Sequence, residues 1–247
     1  MILQDTDPRL EIAAVRERYS DPAAYSGTDD WHRFTANRIR GELRRYCADI
    51  VARPGSAILN AGAGNNDLGI CPPTTLNLDI SESGLSRLPN PIVGSVENIP
   101  LLDETIDTII CVGSVINYCS AAAAIREFQR ILKYGGQLIL EFESSRSAEF
   151  IGSSAFGRPA AIAETFYQGA TEVVRVYDPL YIKNLLLASK LSVVRVVPIH
   201  IASPLALRAT RNLRFAAKVA RLDALFSHTP ILSRWASNQI LFCEKSI

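Results

Sequence analysis

The chain has no long apolar run, no surplus of charge and no paired cysteines. No segment of its 247 residues reaches the eighteen or so consecutive apolar side chains of a membrane span. Its start, MILQDTDPRLEIAAV, lacks a basic stretch leading into an apolar one and so predicts no secretory leader. Twenty-six basic against twenty-five acidic residues leave a formal charge of +1, so no global field draws the protein to nucleic acid or membrane. Cys47, Cys71, Cys111, Cys119 and Cys243 are odd in number, scattered and never at Cys-x-x-Cys spacing, which argues against a zinc or redox pair. Together these absences predict a reduced, cytoplasmic protein.

Several nucleotide signatures are missing too. There is no Gly-Lys pair at P-loop spacing, and none of the eight tyrosines has a lysine four residues later, as common short-chain hydride machinery requires. After the fourth expected strand stands GSVINY, without the NPPY-like turn of base-modifying enzymes, so no DNA partner is expected.

What is present is a 48% hydrophobic chain of a length that suits one domain with a substantial core. Residues 8–50 have helical periodicity through Phe34, Ile39, Leu43, Tyr46 and Ile50, interrupted at Asp21-Pro22 and Ser26-Gly27, and Arg53-Pro54-Gly55 ends the region. Strands are then expected over 57–60, 75–78, 91–94, 108–112, 137–142, 192–197 and 239–243, with helices over 121–132 and 178–189. In the first helix Ile125, Phe128, Ile131 and Leu132 form one stripe, with Lys133-Tyr134-Gly135-Gly136 as its cationic last turn and glycine stop. Alternation implies parallel strands with crossovers. The links after Gly64 and after Asp79 are too short for more than one or two helical turns. Residues 203–227 read as one helix with Arg208, Arg211, Arg214, Lys218 and Arg221 on a single face.

Between Ala57 and Asp79 the chain reads AILNAGAGNNDLGICPPTTLNLD: an apolar run, a glycine-spaced turn, a second apolar run and a carboxylate. Gly62 and Gly64 let the backbone turn sharply and approach a ligand. Asp79, nineteen residues after Asn60, is placed to accept both hydroxyls of a ribose. Taken with GSVENIPLLDETIDTIICVGS and AIREFQRILKYGGQLILEFE in the same order, these blocks resemble the class I S-adenosylmethionine-dependent methyltransferases, especially the group acting on small molecules.

That resemblance, strongest over 57–143, implies an α/β, Rossmann-like, doubly wound and mostly parallel seven-stranded sheet with helices on both faces. It implies a single domain: a helical amino-terminal cover over 1–52, a cofactor-binding core over 53–145, and a substrate side over 146–247 with a helical insertion before the last strand. The cofactor would be S-adenosyl-L-methionine. Asn60, Ala61, Gly62, Ala63 and Gly64 would run under its methionine portion, Asp79 would hold the ribose, Ile80 and Val96 would sandwich adenine, and Ser95 or Glu97 would face the adenine edge. Cys111, Val112 and Gly113 would offer backbone groups to the amino acid tail. Family members carry an acidic residue at Asn60, a glycine at Asn66 and often aspartate at Ser95, so the chain departs from the pattern at three positions. No metal is implied.

Methyl transfer is an in-line displacement whose main demand is alignment. A base helps where the acceptor is a hydroxyl, and Asn117, Tyr118, Glu143 and His200 are the polar groups expected at the same sheet edge. Each also has a structural role open to it, such as a polar strand face for Glu141 and Glu143 or an ordinary surface or hydrogen-bonded histidine for His200. Tyr19, Tyr25, Trp31 and His32 would fold over the cofactor as a lid or pack on the sheet. The expected reaction is O-methylation of a sugar or natural-product intermediate. The basic face would suit an acidic or carrier-bound acceptor, or an anionic lipid surface, and also RNA. The rival reading is a protein of this fold that binds the cofactor without turnover.

Overall fold

The structure, a computed structural model, describes residues 7–21, 30–51, 55–167, 170–223 and 233–246. Pro22, Tyr25, Ser26, Gly27, Arg53, Pro54 and residues 224–227 of the expected basic helix lie outside them. The strands are β1 (Ile58–Ala61), β2 (Leu76–Asp79), β3 (Pro91–Val93), β4 (Ile106–Cys111), β5 (Leu132–Glu143), β6 (Ala160–Tyr167), β7 (Ala170–Tyr177), β8 (Leu191–Ile199) and β9 (Asn238–Lys245). The helices are α1 (Ile12–Ser20), α2 (Asp30–Val51), α3 (Glu82–Leu85), α4 (Ala121–Ile131), α5 (Pro179–Ala188), α6 (Ser203–Thr210) and α7 (Leu213–Ala220).

Seven strands form one sheet in the order β3-β2-β1-β4-β5-β9-β8. The pairings from β3 to β5 are parallel, and β9 runs antiparallel to both its neighbours. Side chains alternate across the strands, so each face receives its own core. Leu59, Ile109, Leu138, Leu140 and Leu241 face α4 and α5 through Ile125, Phe128, Ile131, Ile182 and Leu186. Ile58, Ile110, Ile139, Ile240 and Phe242 face Ile39, Leu43 and Cys47 of α2. The apolar runs in the middle of the sheet are strands covered on both sides, as the seven-stranded α/β expectation requires, while the edge strands β3 and β8 stay partly exposed.

α4 starts where the Ser120 hydroxyl accepts the Ala123 N–H, a side-chain cap that replaces a missing helical partner. α5 starts likewise at Asp178, which accepts the Leu180 N–H at 2.7 Å and pairs with Arg146 at 2.6 Å. The flank expected to be short is short: residues 62–75 form turns without a helix, and α3 spans one turn.

Three expectations are corrected. α4 ends at Ile131 and the chain passes directly into β5, whose Leu132 pairs with Ile106 before the register jumps to Thr108–Gln137. Lys133 therefore does not close the helix; its Nζ reaches both oxygens of Asp107 at 2.9 and 2.8 Å, and the same carboxylate accepts the Ala57 N–H just ahead of β1. The basic helix is two helices, α6 and α7. Arg211 adopts a left-handed conformation (φ +50°) that ends α6, and Asn212 accepts the Phe215 N–H at 3.0 Å to begin α7, so the five cations share no continuous stripe. Finally, β6 and β7 form a separate antiparallel hairpin that the sequence reading lacked. Val174 and Val176 pack there on Phe150, Ala155 and Ala163.

Candidate active site

Strand order reverses between β1 and β4, the place where open α/β sheets leave a crevice at the carboxyl ends of their strands. The chain after β1 turns through Gly62 (φ +75°) and Gly64 (φ +52°). A Cβ at Gly62 would overlap the isopropyl group of Val115, so this turn needs glycine for space as well as for conformation. Asp79, at the end of β2, accepts the Gly64 N–H on one oxygen and the Ser81 N–H on the other, each at 2.8 Å. Burial raises its pKa, and these donors pull the other way.

A cavity of about 390 Å³ opens above the turn, large enough for a small-molecule ligand. It is lined by Gly62, Ala63, Gly64, Asp79, Ile80, Ser95, Val96, Glu97, Val112, Gly113, Tyr118 and Glu143, all named from sequence. Tyr19, Trp31 and His32 of the expected cover line it as well, and α1 is tied down there by Ser81 and Ser83, whose hydroxyls donate to the carbonyls of Tyr19 and Ser20. Ser95 accepts the Glu97 N–H at 3.1 Å, and Glu97 accepts the Ser120 N–H at 2.8 Å, so both also order the loop into α4.

Five named residues stand behind this wall. Asn60 is buried, and its amide donates to the Asn66 carbonyl and to Asn77 Oδ1 at 2.8 and 2.9 Å; it braces the turn instead of facing a ligand. A carboxylate could donate neither bond. Ala61 and Cys111 are enclosed in the sheet. Asn117 is fully buried and clamps β5, accepting the Glu143 N–H at 3.0 Å and donating to the Glu143 carbonyl at 3.2 Å. It holds Glu143 in place without reaching the cavity.

His200 is the clearest displacement from expectation. It is 1% exposed, stacks on Trp31 with ring centroids 3.9 Å apart, and has Thr35 Oγ1 at 2.6 Å from Nε2 and Ser203 Oγ at 3.1 Å from Nδ1. Ser203 donates to Asp223 at 2.5 Å, which also accepts the Ala202 N–H. Both ring nitrogens are engaged, and burial drives the imidazole pKa down to about 3. The group is a neutral junction between α2 and α6.

The cavity is more acidic than the residues named from sequence suggest. Glu141, Glu149 and Glu172 line it beside Glu143, and no lysine or arginine does so among the described residues. Glu141 is spent on structure: it accepts the Gly113 and Ser114 N–H groups at 2.8 and 2.6 Å and the Asn238 amide at 2.6 Å. Glu172 accepts the Tyr118 hydroxyl at 2.9 Å. Burial, reinforced by the charges of Glu149 and Glu141, pushes Glu143 up to about 8, and burial pushes Glu149 up to about 7 against hydroxyls from Ser147 and Ser237. Glu149 and Glu172 come from the turn after β5 and from the hairpin. The run Val173-Val174-Arg175-Val176-Tyr177, with Gly169 just before it, carried the strand signal that would have found the second of these.

Residues 61–140 match the family described as a methyltransferase domain. Among curated proteins, a ubiquinone/menaquinone biosynthesis C-methyltransferase from Rubrivivax gelatinosus is 26% identical over 154 residues, 57% of this chain and 61% of that protein. The match thus spans less than two thirds of the relative. Among solved structures, Burkholderia thailandensis 1,6-didemethyltoxoflavin-N1-methyltransferase, with bound 1,6-didemethyltoxoflavin and S-adenosylhomocysteine, aligns at TM-score 0.57 and 12% identity, covering 97% of this chain and 89% of its own. The [4+2]-cyclase SpnF aligns at 0.55 and 16%, covering 85% and 81%. At these identities the structural likeness concerns the fold.

Proposed function

We propose, from the premise that this chain belongs to the class I S-adenosylmethionine-dependent methyltransferases, that it methylates a small-molecule acceptor at a hydroxyl oxygen, with Glu143 as the base. The acceptor is a sugar or natural-product intermediate, and the protein works in a reducing cytoplasm that keeps its five cysteines free.

The observation that carries the reading is the Gly62–Gly64 turn with Asp79 locked against it, opening directly into a cavity that also holds Glu143. The residues fit the cofactor: the turn leaves no Cβ in the way, Asp79 would accept the ribose hydroxyls, Ile80 and Val96 would hold adenine between apolar walls, and the Gly113 backbone (φ +92°) would meet the amino acid tail. When bound, S-adenosyl-L-methionine supplies an electrophilic methyl on a sulfonium. The protein's own work is alignment and proton removal. A carboxylate with a pKa of about 8 is well matched to accept the hydroxyl proton as the oxygen becomes alkylated. Asn117 fixes the strand end that carries it.

The acceptor site is lined by several carboxylates, only one of which, Glu172, pairs with an arginine (Arg18) among the described residues, and this favours neutral or positively charged acceptors over the acidic one expected from the basic helix. The same lining disfavours an RNA strand. Calorimetric titration with S-adenosylmethionine, S-adenosylhomocysteine and NAD tests the cofactor, and S-adenosylhomocysteine release over a panel of sugars, phenols and amino sugars tests the acceptor. Binding of NAD alone would end the reading.

A second reading keeps the fold and the ligand but not the methyl transfer. It is favoured by Asn60, whose amide is committed to the turn and brings no charge to the site, and by the general point that a fold does not fix a chemistry. Cofactor binding without turnover over the whole panel would select it.

A further inference from the structure

We propose that the α6–α7 hairpin docks this protein on an anionic membrane surface. On α7 the small residues Ala216, Ala217 and Ala220 are buried against the protein. The opposite side carries Phe215, 47% exposed, with Lys218 one turn on, and Leu222, 54% exposed, continues the line in the turn after α7. Arg214 and Arg221 flank this line and are exposed. Leu205, 48% exposed, and Arg211 extend the same composition onto α6 and the joint between the helices.

The surface has no internal opposition. Residues 203–222 contain no aspartate or glutamate. Asp223 is buried and occupied by the Ala202 N–H and the Ser203 hydroxyl. Arg208 points elsewhere and donates to the carbonyls of Glu149 and Ile151. Among the described residues, Arg211, Arg214, Lys218 and Arg221 form no salt bridge.

Charge complementarity selects the occupant. A protein partner seated on Phe215 and Leu222 would have to desolvate the lysine between them, and charged residues are depleted from the centres of such interfaces. A nucleic acid would meet the cations but leave the apolar groups without a counterpart. The boundary between anionic headgroups and acyl chains satisfies both, since cations can reach outward along their stems while the apolar groups sink. Association would be peripheral, because no described helix is long and apolar enough to cross a membrane. Leu207, also on α6, lines the cavity. Docking would therefore place the active site beside the bilayer.

The test is sedimentation of the full chain with vesicles of phosphatidylcholine alone and of phosphatidylcholine mixed with phosphatidylglycerol in equal parts. The protein should bind the mixed vesicles only, and less as salt is raised. An Arg214→Glu/Lys218→Glu/Arg221→Glu variant and a Phe215→Ser/Leu222→Ser variant should each bind at least about tenfold more weakly. Their melting and S-adenosylhomocysteine titration should match the parent, which separates this result from any failure of the methyltransferase reading. Equal binding to both vesicle types, or unchanged binding by the variants, overturns the proposal. So does a dimer in ultracentrifugation that Phe215→Ser dissociates, since a second copy would then cover the face.

Discussion

Asp79 has two duties, because the carboxylate that would meet a ribose also organises the turn beneath it. Asp79→Asn keeps one acceptor oxygen and removes the charge. Affinity for S-adenosylhomocysteine should fall at least about tenfold by calorimetry, in line with the value of a hydrogen bond to a charged group. At Glu143 the expected signature is in pH. The proposed base would work only when ionised, so the rate should rise through about pH 8 in the parent. In Glu143→Gln the rate should drop about 10²–10⁴-fold and that rise should vanish. Stopped-flow or product-release profiles over pH separate this from simple loss of packing, which would lower the rate at every pH alike.

Among the elements, the loop after β1 and the three-residue junction around His200 do different work. Gly62→Ala would force a left-handed alanine against Val115. It should cost about 1–3 kcal/mol of stability and abolish cofactor binding, read by denaturant melts and calorimetry. His200→Ala removes the stack on Trp31 and one hydrogen bond each from Thr35 and Ser203, which keep the Trp31 carbonyl and Asp223 as partners. A loss of about 2–4 kcal/mol is expected, with the pH dependence of turnover unmoved, because His200 stays neutral and lies outside the cavity lining. A shifted pH profile in that variant would return His200 to the list of bases. The amphipathic stripe of α4 was readable in the sequence because Ile125, Phe128 and Ile131 recur at the helical period within one segment. The break at Arg211 was not, since basic spacing runs through it unaltered and only the left-handed backbone divides the helix.

For the whole molecule, the titrations set a stability window. Glu143 and Glu149 have folded pKa values raised above the usual 4.5, to about 8 and about 7. The folded state then holds protons that the unfolded state has released. Their stabilising share is complete below about pH 4.5 and lost as pH rises through 7 to 8. His200 has the opposite sign: depressed from 6.5 to about 3, it contributes stability above pH 6.5 that is lost as pH falls towards 3. The ligand-free protein should melt highest at mildly acidic pH, and Glu143→Gln should raise the melting temperature most at pH 8, by calorimetric scans. A variant that melts no higher than the parent at pH 8 would show that Glu143 is not held in the protonated form.

The amino-acid sequence by itself determined the parallel core, the glycine turn, the acidic end of β2 and the short flank, because each depends on local chain stiffness, apolar periodicity or the reach of a short link. The tertiary structure decided which polar groups meet. Glu172, distant in sequence, reaches Glu143 only through the β6–β7 hairpin, while Glu149 is turned back onto it by the short segment after β5. His200 and Asn60, plausible in sequence as site residues, are turned inward by partners on other elements. Local patterns state what a segment can form. Burial and charge are sums over neighbours, and neighbours from distant segments are known only when the chain has closed.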